Sequence, residues 1–163
     1  MAAMKSLQDL FVNLLKDMYY AEKQILKALP KMAKKADSEQ LRQAFEHHLK
    51  ETQGQIERLE QVFALCALKP AGKTCPAIKG IIEEGEDDMK DAKDPDVLDA
   101  GMIADAQAVE HYEIARYGTM IAWAKQLGMN DAVSLLQQTL DQEYGADRLL
   151  TELAEARLNR EAA

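Results

Sequence analysis

Residues 7–29 read LQDLFVNLLKDMYYAEKQILKAL, and the positions that recur at helical spacing are Leu7, Leu10 with Phe11, Leu14, Met18, Glu22, Ile25 and Leu29. All of them are apolar except one. Residues three and four apart share a helix face, so Glu22 is expected on the stripe that faces the core. A carboxylate taken out of water is costly unless something pairs with it. The stripe continues to Met32, predicting a first helix from Ser6 to Lys35, with Pro30 expected to kink or end its regular part.

Three further stretches repeat the pattern. A second helix capped by Asp37 or Ser38 runs to about Leu68, through Leu41, Phe45, His48, Glu51 with Thr52, Gln55, Leu59 and Val62. A third opens at Asp94-Pro95, where proline suits the first turn, and ends before Gly128. Its stripe is Ala100, Ile103, Ala106 with Gln107, Glu110, Ile114, Tyr117 and Ile121. The last begins near Asn130 and uses Val133, Leu136, Leu140, Glu143, Asp147, Leu150 and Leu153. Short links join the first helix to the second and the third to the fourth, which predicts two antiparallel hairpins. Between them, Lys69 to Asp94 form a long crossover with a Pro/Gly loop and a short acidic helix over Ile78–Lys93. One long connection in this position matches the ferritin-like variant of the antiparallel four-helix bundle. The fold class is therefore all-α, and the expected organisation is one domain over 1–163.

Composition agrees and excludes several functions. Nearly half of the 163 residues are apolar, while Gly and Pro are scarce, as a helical protein requires. The formal charge of -8 without a compensating basic cluster argues against nucleic acid as a partner. No apolar run reaches the roughly 20 residues of a membrane span, and the start is amphipathic rather than signal-like. No membrane association and a cytoplasmic location are the expectations. Two cysteines, Cys66 and Cys75, flank Lys69-Pro70-Ala71-Gly72-Lys73. Reduced thiols are expected from the compartment, and zinc lacks two further ligands at short spacing. The acidic run Glu83-Glu84-Gly85-Glu86-Asp87-Asp88 reads as a solvated helix face.

Glu22, Glu51, Glu110 and Glu143 each fall within about one helical turn, roughly 5 Å, of the midpoint of their helix. In an antiparallel bundle the midpoints share one level, so the four carboxylates are expected to converge. Glu113 and Asp147 stand one turn after Glu110 and Glu143, and His48 one turn before Glu51. Several like charges in a low-dielectric interior need protons or cations. Oxygen-rich donors favour iron or manganese over copper. The expected ligands are thus Glu22, Glu51, Glu110 and Glu143, with Glu113, Asp147 and His48 around them. His48 fits a ligand, a partner of a ligand or a plain core polar group. His47 is expected to be exposed, and His111 to point toward Ala104, Ala115 and Gly118. Tyr19, Tyr20, Tyr112, Tyr117 and Tyr144 fall at the same level.

The halves also echo each other, with Glu22 then Glu51-Thr-Gln-Gly-Gln55, and Glu110 then Glu143-Tyr-Gly-Ala-Asp147. In these residues, and in Asp17-Met-Tyr-Tyr-Ala-Glu22-Lys-Gln, His48-Leu-Lys-Glu51-Thr, Arg58-Leu-Glu-Gln-Val-Phe63, Val109-Glu110-His-Tyr-Glu-Ile-Ala115, Tyr117-Gly118 and Leu136-Gln-Gln-Thr-Leu140, the chain resembles the ferritin-like superfamily. Within it, the chain is similar to the YciF/YciE-type bacterial stress proteins along nearly its whole length. The resemblance implies a dinuclear iron or manganese site, ferroxidase- or peroxidase-like chemistry in stress defence, and a homodimer. The chain departs from the familiar Glu-x-x-His pattern of di-iron bundles, because Gly54 and Ala146 stand where histidine would, with Gln55 and Asp147 one position later. The competing expectation is a non-enzymatic helical interaction or stress protein with no functional metal. Iron storage is a third, and would require a cage-forming oligomer.

Overall fold

The computed structural model describes residues 4–163, and every element in it is helical. Five helices account for most of the chain: α1 (Leu7–Lys35), α2 (Glu39–Leu65), α3 (Pro76–Asp91), α4 (Pro95–Gln126) and α5 (Asn130–Leu153). A π turn over Ala154–Leu158 and a short α6 (Asn159–Glu161) complete it. Helices α1 and α2 form one hairpin and α4 and α5 the other. The crossover between them carries α3, giving the ferritin-like four-helix bundle. Among the described residues, no helix is long and apolar enough to cross a membrane.

Local chemistry sets most helix starts. Ser6 caps α1 by accepting from the Asp9 amide at 3.1 Å. Asp94 caps α4 by accepting from the amides of Asp96 and Val97, with Pro95 in the first turn. The start of α2 has a second anchor. Asp99 on α4 is buried and accepts from the amides of Asp37 at 3.0 Å and Ser38 at 2.7 Å, tying the α1–α2 turn to the opposite hairpin. Pro30 does not end α1, which continues to Lys35 with Met32 and Ala33 buried, because packing outweighs the lost backbone bond. Helix α2 stops at Leu65, earlier than its apolar pattern suggests, where Ala67 turns left-handed (φ 55) and the Leu68 amide reaches back to the Phe63 carbonyl. The crossover helix is shifted toward the N-terminus of its expected span, opening at Cys75-Pro76.

Helix α3 lies against α4 and α1 and buries only Ile78 and Gly85. A side chain at position 85 would come within 3.2 Å of Asp105, so glycine permits the close approach of α3 to α4. Its acidic side faces solvent, as expected of a charge run.

The apolar core is divided in two. One cluster joins Phe11, Leu15, Met18, Leu59, Phe63, Met120 and Leu136. The other joins Ile25, Leu29, Leu41, Phe45, Met102, Ile103 and Leu150. Along each bundle helix the switch from one cluster to the other falls at a polar segment: Glu22 on α1, His48 to Gln55 on α2, Glu110 and Glu113 on α4, Glu143 on α5. A polar layer thus crosses the middle of a hydrophobic bundle.

Candidate metal centre

The four bundle helices deliver their polar residues to this layer because each keeps its inward stripe in phase through it. Glu22, Glu113, Gln55 and Glu143 have no solvent exposure, and His48 and Glu110 are nearly as deep. His48, Glu110, Glu113 and Glu143 each place one donor atom within 4.8 Å of the others. Four donors from three helices at that spacing can hold a metal ion.

The contacts give the centre its shape. His48 Nε2 lies 3.2 Å from Glu110 Oε1 and 3.9 Å from Glu143 Oε2, while its Nδ1 is 3.6 Å from Glu51 Oε2. None of these is aligned as a hydrogen bond, so both ring nitrogens stay without partners. Tyr117 donates its hydroxyl to Glu22 Oε1. Gln55 donates to Glu143 Oε1 and, at 3.3 Å, to Gln142 Oε1. Arg58 then holds Gln142 and, at 2.9 Å, Thr139, locking α2 to α5 beside the centre. No amide, hydroxyl or cationic group donates to Glu22 Oε2, Glu110 Oε2, Glu143 Oε2, Gln55 Oε1 or either oxygen of Glu113. Glu22 meets Glu113 and Glu110 meets Glu143 carboxyl to carboxyl, contacts that need a shared proton or a cation. Native interiors rarely leave buried polar atoms unpaired, and a cation is one of the few partners that would satisfy so many acceptors together.

Electrostatics tell the same story. Burial, with the charge of Glu143, raises the Glu22 pKa to about 8 against the opposing bond from Tyr117. Burial raises Glu110 to about 7, with the charges of Glu22, Asp147 and Glu51 adding to it. Glu113 and Glu143 are pushed well above the carboxylate range, first by burial and then by neighbouring carboxylates. For His48, burial disfavours the imidazolium, but Glu51, Glu143 and Glu22 together outweigh it and the pKa rises. Without a cation, the layer must therefore hold protons near neutral pH. A bound cation would replace protons there and use the same oxygens as ligands.

Of the seven residues singled out in the sequence, four form the compact cluster and Glu22 abuts it through Glu113. Glu51 sits at the rim with 19% of its side chain exposed, shared between His48 and His47 Nε2 at 3.4 Å. Asp147 does not turn inward. It is held by Gln107 Nε2 at 3.1 Å and His111 Nε2 at 3.1 Å on the outer side of the α4–α5 seam. His111 lies exposed on the face of α4 that carries Ala104, Ala115 and Gly118, and its ring reaches Asp147. His48, the most ambiguous residue in the sequence, stands at the centre. Tyr117 is the one tyrosine buried in the layer itself, while Tyr144 is 47% exposed. The Arg58–Gln142–Gln55 chain was not legible, since it depends on which faces of α2 and α5 meet. Cys66 and Cys75 are free thiols, and Cys75 Sγ is 3.1 Å from the Tyr112 hydroxyl.

Comparison with known proteins places these features in a lineage. Residues 6–163 match a family described as a domain of unknown function, DUF892. Protein YciF of Escherichia coli K12 is 46% identical over 160 residues, covering 98% of this chain and 96% of that protein. The crystal structure of that E. coli stress protein superposes with a TM-score of 0.91, over 96% of this chain and 99% of its own. YcfI from Rhodopseudomonas palustris, for which a structural role has been suggested, is 50% identical with a TM-score of 0.90, over 92% of this chain and 96% of its own. A protein from Xanthomonas campestris pv. campestris shares the fold at 23% identity and a TM-score of 0.73, over 93% of this chain and 92% of its own.

Proposed function

We propose that this chain, which belongs to the DUF892 family, is a cytoplasmic stress-defence protein that holds two iron or manganese ions in its polar layer and performs ferroxidase- or peroxidase-like chemistry. The observation that carries this reading is the set of orphaned, fully buried acceptors on Glu22, Glu110, Glu113 and Glu143 around an unpartnered imidazole. The relationship to the E. coli stress protein supports the physiological setting.

In this reading Glu22, Glu110, Glu113, Glu143 and His48 are the ligands, and Glu51 completes the set from the rim. Asp147 contributes negative potential without coordinating, because Gln107 and His111 both hold its Oδ1 away from the cluster. Oxygen donors with one imidazole suit manganese and iron. When bound, such ions supply one-electron redox changes to a small oxidant. The protein's own groups do the rest. Gln55 fixes the orientation of Glu143, Tyr117 holds Glu22 by its proton, and the flanking apolar clusters limit water. Before metal binds, burial and the neighbouring carboxylates favour a proton on Glu110, and that proton would leave as the ion takes its place.

The deciding experiment is elemental analysis of untagged protein purified without chelators. About two iron or manganese ions per chain are expected, with consumption of peroxide or oxidation of ferrous iron by the loaded protein. Absence of metal, with none taken up anaerobically from ferrous or manganous salts, overturns the reading. That result would favour the interaction protein, a role in keeping with the structural one suggested for the R. palustris relative. The dimer implied by the family resemblance belongs to this proposal as well, and light scattering tests it. A cage of many subunits would point to storage instead.

A further inference from the structure

A cavity of about 410 Å³ runs from solvent between α2 and α5 down to His48, Glu51 and Glu110. We propose that it is a substrate subsite for a small uncharged organic molecule with an apolar body about the size of one ring and a single oxygen-bearing head. The inference rests on the metal-centre reading for what holds the head, and on the cavity itself for the body.

Size is the first argument. A water molecule's share of liquid volume is about 30 Å³, and a dry cavity of about 150 Å³ suffices for benzene. Hydrogen peroxide or dioxygen would leave most of this space unused. The volume instead lies within the usual range for organic ligands, about 300–1,000 Å³. Lining is the second argument. Leu29, Phe45, Ala106, Ala146 and Leu150 make the walls apolar, and the polar groups gather at the floor and the mouth. Small residues, Ala44 and Ala146 on α2 and α5, keep the space open where larger ones would close it. Charge is the third. Asp141 stands exposed at the mouth and Glu51 keeps part of its side chain in solvent on the way to the centre, so an entering anion passes two carboxylates before it reaches the neutralised layer. A neutral head escapes this cost and ends beside His48. Organic hydroperoxides and the alcohols of the same shape belong to the class described.

Benzyl alcohol and benzoate share a ring and differ in charge, so they test the inference directly. Titration of the full-length protein, metal-free and metal-loaded, by calorimetry and chemical-shift mapping should show saturable one-site binding of the alcohol. Benzoate should bind at least about tenfold more weakly, a difference of about 1.4 kcal/mol. Ala146→Phe, which fills the cavity, should weaken alcohol binding by about tenfold or more while metal stoichiometry stays at the wild-type value. Ala44→Leu fills it from the opposite wall and serves if the first variant misfolds. No saturable binding in the wild-type protein, equal binding of alcohol and acid, or undiminished binding in both variants overturns the proposal. Metal uptake without alcohol binding sinks the subsite alone. Alcohol binding by a protein that takes up no metal sinks the metal reading and leaves the cavity's preference intact.

Discussion

On the side of α1 and α4, the polar layer is sealed: Glu22, Glu113 and Tyr117 have no exposure and lie between two apolar clusters. On the side of α2, it is open: Glu51 keeps 19% of its side chain exposed, His47 stands outside it, and the cavity reaches the floor at His48. The same residue types thus occupy two dielectric settings a few ångströms apart. Sealed carboxylates cannot be neutralised by water or bulk salt, so a cation or a proton must accompany each charge. Rim carboxylates have solvent as an alternative. The sealed flank should therefore dominate metal retention and the open flank should govern exchange.

The largest effect that separates them is on metal affinity. Glu113→Gln removes a ligand charge where nothing else can supply one, and is expected to lower affinity by about 100-fold or more. Glu51→Gln, at the rim, should cost about tenfold. Competition with a chromogenic chelator measures both. Equal losses would show that the two flanks do not differ in the way their burial indicates.

Next in size is the pH dependence of the metal-free protein. Glu22 at about 8 and Glu110 at about 7 bind protons more tightly when folded than at the ordinary value of 4.5. The sign follows from linkage. Groups raised in the folded state contribute stability that is complete below their unfolded pKa and is lost as pH rises through the folded one. His48, also raised, acts in the same direction. Between pH 5.5 and 8.5 the metal-free protein should lose about 2 kcal/mol from Glu110 alone, at ~1.4 kcal/mol for each pH unit between the lower bound and its folded pKa. For a chain of this length that corresponds to a fall in Tm of roughly 6 °C. Saturating manganese should abolish most of the fall, because the ion takes the place of the protons. A Tm that rises over this interval in the metal-free protein would contradict the buried, proton-holding layer.

Smaller effects come from the groups that aim the carboxylates. Tyr117→Phe leaves Glu22 Oε1 without its donor, an expected loss of about 1–3 kcal/mol in the metal-free protein. Gln55→Leu releases Glu143 and leaves Gln142 to Arg58 alone, and should lower metal affinity by about tenfold without unfolding the chain. Denaturant melts and the same chelator competition distinguish the two.

How much of this was legible depends on whether a residue's fate is set by its own helix. The stripes, the Ser38 cap, the starts of α1 at Ser6 and of α4 at Asp94-Pro95, and the crossover follow from local spacing and side-chain chemistry, and they fix the bundle. The depth of Glu22, Glu110 and Glu143 follows as well, since an inward stripe carries its glutamates inward. The end of α2 was not legible, because a left-handed alanine at position 67 leaves no glycine to mark the stop. Nor was the central place of His48. Its ring reaches Glu110 and Glu143 only through the relative rotation of α2, α4 and α5. Gln55 and Asp147 occupy matching places in the two halves of the sequence, four residues after a layer glutamate, yet one is sealed beside Glu143 and the other faces outward. Tertiary contacts decided between them.

That pair supplies the finest test of the two-flank picture. Asp147 was a natural candidate ligand from its spacing, but Gln107 and His111 hold its carboxylate and 21% of its side chain meets solvent. Removing it in Asp147→Ala takes away only a partly screened charge near Glu110, and such charges are worth about 0–1 kcal/mol. Metal stoichiometry should stay unchanged and affinity should move by less than about fivefold, in contrast to Gln55→Leu on the matching turn of α2. The His111 imidazole, freed of its carboxylate, provides an internal control, since its proton signals should shift while those of His48 should not. A loss of bound metal as large as that of Glu113→Gln would mean that Asp147 swings inward when the ions arrive. The layer would then be symmetric in its loaded state, with the sealed and open flanks a property of the metal-free protein alone.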